Sequence, residues 1–239
     1  MKNYAPENAS FLLPFQFDQV NLKKDLDKCL QFDFSKNYVP DNYQGKDYIL
    51  PLRSIDGRLD FPVAAPNQVN RYKDTIALEQ CAYFKEIIEL FSCDKEAIRL
   101  MNLTPGQNVN THTDYNCGYE DGIFRIHIPI ITNEEVYFIL NGERLIMNPG
   151  EAWYTNVNLP HSVANKGKTN RIHLVMDCIR NEWSDKLFES LGYAFNLEAD
   201  VKEELPKSTM LLMIKELELQ DTPGAKTLIG QLKERLEKK

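Results

Sequence analysis

The chain has 239 residues, 43% of them apolar and 26% charged, and a net charge of −7. At about 150 residues per domain this is one to two domains, with enough chain to enclose a site, and it excludes a disordered chain, a collagen and a coiled coil. The lack of a Lys/Arg cluster argues against a nucleic-acid partner, and no apolar run approaches the ~18 residues of a membrane span.

At the N-terminus, Phe11-Leu12-Leu13 is cut off by Pro14. It is too short for a signal peptide, so a cytoplasmic protein with no membrane partner is expected. Val20, Leu22, Leu26, Cys29 and Leu30 predict a helix over 20–31. Asp47–Arg53 reads as a short strand. Cys81, Phe84, Ile87, Ile88 and Phe91 predict one amphipathic helix over 78–91. Loops are expected at 36–46 and 56–74.

From residue 97 the texture changes to short β-type runs: Ala97–Leu103, Ile123–Ile131, Val136–Leu140, Arg144–Met147, Ala152–Tyr154, Ser162–Ala164 and Arg171–Asp177. They are separated by Pro105-Gly106, Asn141-Gly142, Asn148-Pro149-Gly150 and Lys166-Gly167-Lys168. Asn-Gly between apolar runs marks a tight hairpin, and evenly spaced short strands suggest a sandwich or small barrel. Beyond residue 185 the apolar spacing becomes heptad-like among many Lys and Glu. Helices are expected over 208–219 and 223–236, packed on the β core or on a second copy, which makes a homo-oligomer an expectation. The domains expected are therefore a β domain with a mixed N-terminal part over 1–185 and a helical extension over 186–239.

The five cysteines are scattered and contain no CxxC pair, which reads as reduced packing residues. The four histidines all lie between His112 and His173, and histidine is the side chain most used for metal ligation and proton transfer near neutral pH. In an extended segment His112 and Asp114 share a face. His161 follows several hairpins later and returns beside them if the strands close into a barrel. Two His and one carboxylate on one side of an ion leave other positions open, which suits non-haem Fe(II) oxygenases. Arg171, ten residues beyond His161, offers a planar fork for the far carboxylate of a 2-oxo acid. Each piece has a plainer reading: a hydrogen-bonded loop pair, a turn histidine, a surface strand charge. His173 reads more simply as a satisfied core histidine. His127 is balanced between the two readings, because it follows Arg125 at same-face spacing. Arg53, Arg58, Arg71 and Arg99 are candidate anion contacts, each more simply a surface or structural charge.

In order along the chain come His112-Thr-Asp114, Phe124-Arg125-Ile-His127-Ile-Pro129, Gly150-Glu151-Ala-Trp153-Tyr154, Pro160-His161-Ser-Val-Ala-Asn165 and Arg171-Ile-His173-Leu-Val-Met-Asp177. Together these blocks resemble the aspartyl/asparaginyl β-hydroxylase family, including its bacterial members of the proline cis-4-hydroxylase type, over about residues 45–185. The resemblance implies a double-stranded β-helix (jelly-roll, cupin-like) core in a mainly β chain with flanking helices. It further implies Fe(II) and O2 as cofactors and 2-oxoglutarate as cosubstrate. His112, Asp114 and His161 match the iron ligands, and Arg171 matches the arginine for the distal carboxylate of 2-oxoglutarate. Arg125 and His127 match a pair in which the His lies near the cosubstrate and the Arg near a substrate acid group. A second buried Arg needs an anion of its own, and a substrate carboxylate is the simplest one, with Glu151 or Asp177 as the internal alternatives. The expected activity is hydroxylation of an aliphatic carbon in an amino acid or a peptidyl Asp/Asn-like substrate that carries a carboxylate. The alternatives are another cupin-type metal enzyme, an isomerase or a dioxygenase without 2-oxoglutarate, and a non-catalytic binding module on the same fold.

Overall fold

The computed structural model describes residues 5–36, 43–44, 48–62, 64 and 69–195, with scattered positions between 207 and 236. Residues 3–198 form one compact unit, and residues 1–2 with 199–239 form another.

The first unit opens with β1 (Ser10–Gln16), α1 (Gln19–Cys29), the short β2 (Ser35–Lys36) and β3 (Tyr43–Gln44), β4 (Tyr48–Ile55) and β5 (Tyr72–Asp74). Two helices follow, α2 (Ile76–Glu79) and α3 (Ala82–Leu90), then β6 (Lys95–Leu103) and β7 (Asn108–His112). The remainder is β8 (Ile123–Ile131), β9 (Val136–Leu140), β10 (Glu143–Leu145), β11 (Glu151–Thr155), β12 (His161–Asn165), β13 (Arg171–Ile179) and α4 (Glu182–Ser190). A major sheet runs in the order β1-β11-β8-β13-β6-β4-β2, with β5 beside β4, and a minor sheet runs β10-β9-β12-β7-β3. The pairs are antiparallel throughout. This is the jelly roll that the family resemblance implies, where the hairpin signals alone suggest a sandwich or small barrel.

Strand parity decides what each face of the major sheet does. Successive strand residues point to opposite faces. Phe124, Ile126, Ile128 and Ile130 of β8 join Ile172, Leu174, Met176 and Cys178 of β13 in one apolar core. Leu22 and Leu26 of α1, Leu78 of α2, Phe84 and Ile87 of α3 and Phe188 of α4 cover that face. The alternate residues, Arg125, His127, Arg171, His173 and Asp177, are buried on the other face. That face looks toward the minor sheet, as Trp153 of β11 shows by packing with Phe138 and Leu140 of β9. Pro129 interrupts β8, and the pairing with β13 shifts register between Ile172 and His173 at that point. A proline without an N–H is accommodated in a sheet at such an irregularity.

The predicted helix over 20–31 is α1, capped by Asp18, whose side chain accepts from the Asn21 backbone at 2.7 Å. Its inward stripe is Leu22, Asp25, Leu26 and Cys29, whereas Val20 and Leu30 face solvent. The single helix expected over 78–91 is two helices. Asp25, buried in α1, accepts from the Phe84 N–H at 2.9 Å and from Lys28 at 2.6 Å. It therefore caps the free N-terminal amides of α3 from another element, and the chain breaks at Gln80–Cys81 to receive it. The expected loop 56–74 contains β5, and β1 lies in the stretch read only as too short for a signal peptide. Among the described residues no helix is long and apolar enough to cross a membrane.

Helix α4 packs on the β core through Tyr119. The Tyr119 and Phe188 rings stack at 3.9 Å, and the Tyr119 hydroxyl meets Ser184 at 2.9 Å and Asp185 at 2.8 Å. Asn181 caps the helix, accepting from the Ser184 N–H at 3.0 Å. The boundary expected at residue 185 falls inside this helix. In the second unit the described positions between Lys207 and Leu236 are helical, and Ile214 and Leu232 are buried together. Most of the helices expected over 208–219 and 223–236 lies outside the described residues.

Phe188→Ala removes the ring on which Tyr119 and its neighbours stack. A loss of about 3–5 kcal/mol is expected, measured as a fall in the denaturant midpoint at unchanged slope.

Candidate metal centre

Three side chains converge at one end of the two sheets. His161 of β12 pairs directly with His112 of β7, which sets the ring centroids 4.2 Å apart. Asp114 lies two residues past His112, its backbone N–H held by the Val157 carbonyl at 2.8 Å. One ligand atom from each of His112, Asp114 and His161 lies within 4.8 Å of the others. Both rings are oriented by a carbonyl two residues back: His112 Nδ1 meets Asn110 O at 2.8 Å, and His161 Nδ1 meets Leu159 O at 3.0 Å. A carbonyl only accepts, so each Nδ1 carries the hydrogen and each Nε2 keeps its lone pair for a cation. Burial pushes the His161 imidazole down to about 4, so it is neutral and ligand-competent at pH 7. Burial also opposes ionisation of Asp114, but Arg125 and the two imidazoles outweigh it and hold the carboxyl below its ordinary value. The donor set fits a divalent cation bound on one face. The Asp114 side chain is 31% exposed, so a ligand can reach that face.

The loop after Asp114 is pinned from the β11–β12 connection. Asn158 Nδ2 donates to Asp121 at 2.6 Å, its Oδ1 accepts from the Cys117 N–H at 3.1 Å, and Asn156 donates to Glu120 at 2.9 Å. Gly118 permits this contact, because a Cβ there would sit 2.2 Å from Asn158 Nδ2.

On the facing sheet Asp177 anchors a row of charges. Arg125 Nε donates to Asp177 Oδ1 at 2.7 Å and its Nη2 to Oδ2 at 3.4 Å, while Arg99 Nη2 donates to Oδ2 at 2.6 Å. Arg125 Nη1 crosses to Asp114 Oδ2 at 2.5 Å. Arg125 thus has two anions within this chain, Asp177, one of the two internal alternatives, and Asp114, so its burial does not by itself call for a substrate carboxylate. The other candidate anion contacts also meet aspartates of this chain, Arg53 with Asp74, Arg58 with Asp60 and Arg71 with Asp56. Asp177 shares its face of β13 with Arg171 and His173, a spacing readable in the sequence.

Further along the same face, Arg171 is 3% exposed and donates to His173 Nδ1 at 2.9 Å. His173 Nε2 therefore carries the hydrogen, and it has no hydrogen-bond partner. Both ring nitrogens of buried His127 are likewise without one. His173 is thus only half satisfied, and His127 is not satisfied at all. Buried polar atoms left without partners are unusual in a folded chain, and here they ring a buried cation. The arrangement fits an anionic ligand lying between Arg171 and the metal ligands. A cavity of about 510 Å³ lies near Tyr137, Arg144 and Met147 and reaches His173 but none of the three metal-ligand candidates.

The family model for aspartyl/asparaginyl β-hydroxylases matches residues 41–181. The chain belongs to this family. The blocks that contain His112, Asp114, His161 and Arg171 all fall inside the matched span. A curated relative, L-proline cis-4-hydroxylase of Rhizobium meliloti, is 26% identical over 172 residues, which are 71% of this chain and 60% of the relative. The chain thus spans less than two thirds of that relative's length. A crystal structure of an oxidoreductase of the 2OG-Fe(II) oxygenase family from Burkholderia pseudomallei is similar at a TM-score of 0.51 and 12% identity, covering 76% of this chain and 94% of that one. That likeness is one of fold.

Burial drives His127 and His173 well below their ordinary pKa, with Arg171 adding to the shift. They stay neutral in the native state, whereas the unfolded chain protonates them near about pH 6.5. Stability is therefore full above that value and is lost as the pH falls toward the native pKa, at up to about 1.4 kcal/mol per pH unit for each group. Denaturant midpoints measured from about pH 7.5 to about pH 4.5 are expected to fall, and less steeply for His127→Phe.

Proposed function

We propose that the chain is an Fe(II)- and 2-oxoglutarate-dependent dioxygenase that hydroxylates an aliphatic carbon of a small amino acid, or of an Asp- or Asn-like residue in a peptide. The observation that carries this reading is the convergence of His112, Asp114 and His161 to within 4.8 Å, with Arg171 buried on the inner face of the major sheet. Two imidazoles and a carboxylate with an open side suit Fe(II) in oxygenases. The Rhizobium meliloti relative, named for hydroxylating L-proline, supports the amino-acid arm of the proposal.

When bound, the iron and 2-oxoglutarate supply the activation of O2 and the insertion of one oxygen atom into a C–H bond. The chain's own part is positional. His112 and His161 present Nε2 to the cation because their Nδ1 hydrogens are held. Asp114 offers the oxygen that Arg125 does not occupy. Arg171 binds the distal carboxylate of the cosubstrate with its planar fork, and His127, neutral and without a protein partner, donates to the same ligand. Phe138, stacked along His161 at 6.4 Å, with Leu140 and Leu159 behind it, keeps water from that side of the cation. The substrate's acidic group is not assigned to Arg125.

The test is succinate formation from 2-oxoglutarate with Fe(II), across a panel of amino acids and peptides. Turnover is expected with the native chain and is expected to be lost in His112→Ala, Asp114→Ala and His161→Ala proteins that still fold. Turnover that persists in all three variants would sink the reading. Arg171→Lys keeps the charge but loses the fork. Its Michaelis constant for 2-oxoglutarate is expected to rise about tenfold or more, in line with the ~1.5–3 kcal/mol of a hydrogen bond to a charged group.

A further inference from the structure

We infer that Asp177 and Arg99 are positioning residues for the metal-binding carboxylate: acting through Arg125, they aim Asp114 and so set how tightly the three-residue centre holds a divalent cation. The inference rests on the metal reading above and assigns a role to two residues outside it.

The three proposed ligands differ in how they are held. His112 and His161 sit in a β ladder and each ring is fixed by a carbonyl. Asp114 lies past the end of β7, outside the ladder, with its backbone N–H anchored to Val157. Its carboxylate is oriented by one contact, Arg125 Nη1 on Oδ2, which leaves Oδ1 turned toward His112 Nε2 at 3.6 Å. Arg125 divides its donors between two carboxylates: Nη1 serves Asp114, and Nε with Nη2 forks onto Asp177. Arg99 holds the second side of Asp177. Asp177 and Arg125 are direct cross-strand partners on β13 and β8, while Arg99 on β6 pairs with Val175, two residues away on the same face.

The consequence follows from charge and geometry. Without the Asp177 charge, a buried guanidinium loses its principal counter-ion. It then turns its fork onto the remaining carboxylate, Asp114, and occupies the oxygen meant for the cation. It also raises the positive potential at that point. Both effects weaken cation binding, and neither requires the fold to change. Outer groups that orient a ligand typically change metal affinity by about 10- to 100-fold.

The experiment is a titration of the full-length protein with Co(II), read by its visible absorption bands, for the native chain, Asp177→Asn, Arg125→Lys and His112→Ala. Thermal unfolding of the metal-free proteins is measured alongside. The expected result is Co(II) binding by the native chain, its loss in His112→Ala, and an affinity about 10- to 100-fold weaker in Asp177→Asn with altered band positions. Arg125→Lys is expected to weaken binding as well, since an ammonium cannot serve both carboxylates. It also carries the test if Asp177→Asn does not fold. Native affinity and an unchanged spectrum in the folded variants, whatever their unfolding temperatures, would overturn the positioning role and leave the metal reading standing. No Co(II) binding by the native chain, or binding that His112→Ala does not affect, would overturn both.

Discussion

Four charges in alternation, Arg99, Asp177, Arg125 and Asp114, tie the two sheets together at the end where His112, Asp114 and His161 converge. Moving an ion from water into a protein interior is costly, and attraction offsets that cost only when geometry is good and every charge has a partner. Three of these side chains lie on the inner face of the major sheet, which would otherwise have no reason to be polar. The fourth belongs to the turn after β7. Asp177 is shared between Arg99 and Arg125, so the row balances its charge only when the turn after β7 brings in Asp114, and closure of the jelly roll at this end and the placement of Asp114 go together. Burial and partners pull in opposite directions on Asp177 and Asp114, and in both the arginines prevail and keep the carboxylate ionised.

The far side of the major sheet is maintained by different forces. There the rings of Tyr119, Phe124, Tyr154 and Phe188 pack together, with Arg180 lying 4.5 Å over Tyr119. Tyr119 lies within the loop after Asp114, so the aromatic packing and the hydrogen bonds from Asn156 and Asn158 hold the stretch 117–121 from two sides. An ion row on one face and an apolar layer on the other give the sheet two chemically distinct surfaces from one alternating sequence.

Much of this was legible from residue order alone. The strands from β6 to β13 announce themselves by β-branched runs and turn dipeptides, and the clustering of His112, His127, His161 and His173 marks the functional half. What escaped was set by contacts distant in sequence. The break between α2 and α3 depends on Asp25, some fifty residues earlier, reaching over to cap α3. Strand β1 is legible only once β11 is there to pair with it. The partner of Arg125 was readable only as one of two alternatives, because Glu151 shares the inner face with Asp177 at the level of parity. The structure separates them: Glu151 folds back onto Asn148 and Trp153, whereas Asp177 stands directly across the ladder from Arg125.

The strict alternation along β8 and β13 also decides which changes of chain length the fold can absorb. Losing or gaining one residue within either strand, unless a bulge such as the one beside Pro129 takes it up, would exchange its two faces, sending Arg125 and His127, or Arg171, His173 and Asp177, into the oil of the helical layer and turning isoleucines and leucines toward the charged cleft. A change of two residues restores the phase and shifts only the height of each group along the strand. Length variation is therefore absorbed most simply at the hairpin tips, such as the exposed Asn141-Gly142 turn, where an added residue alters no face at all.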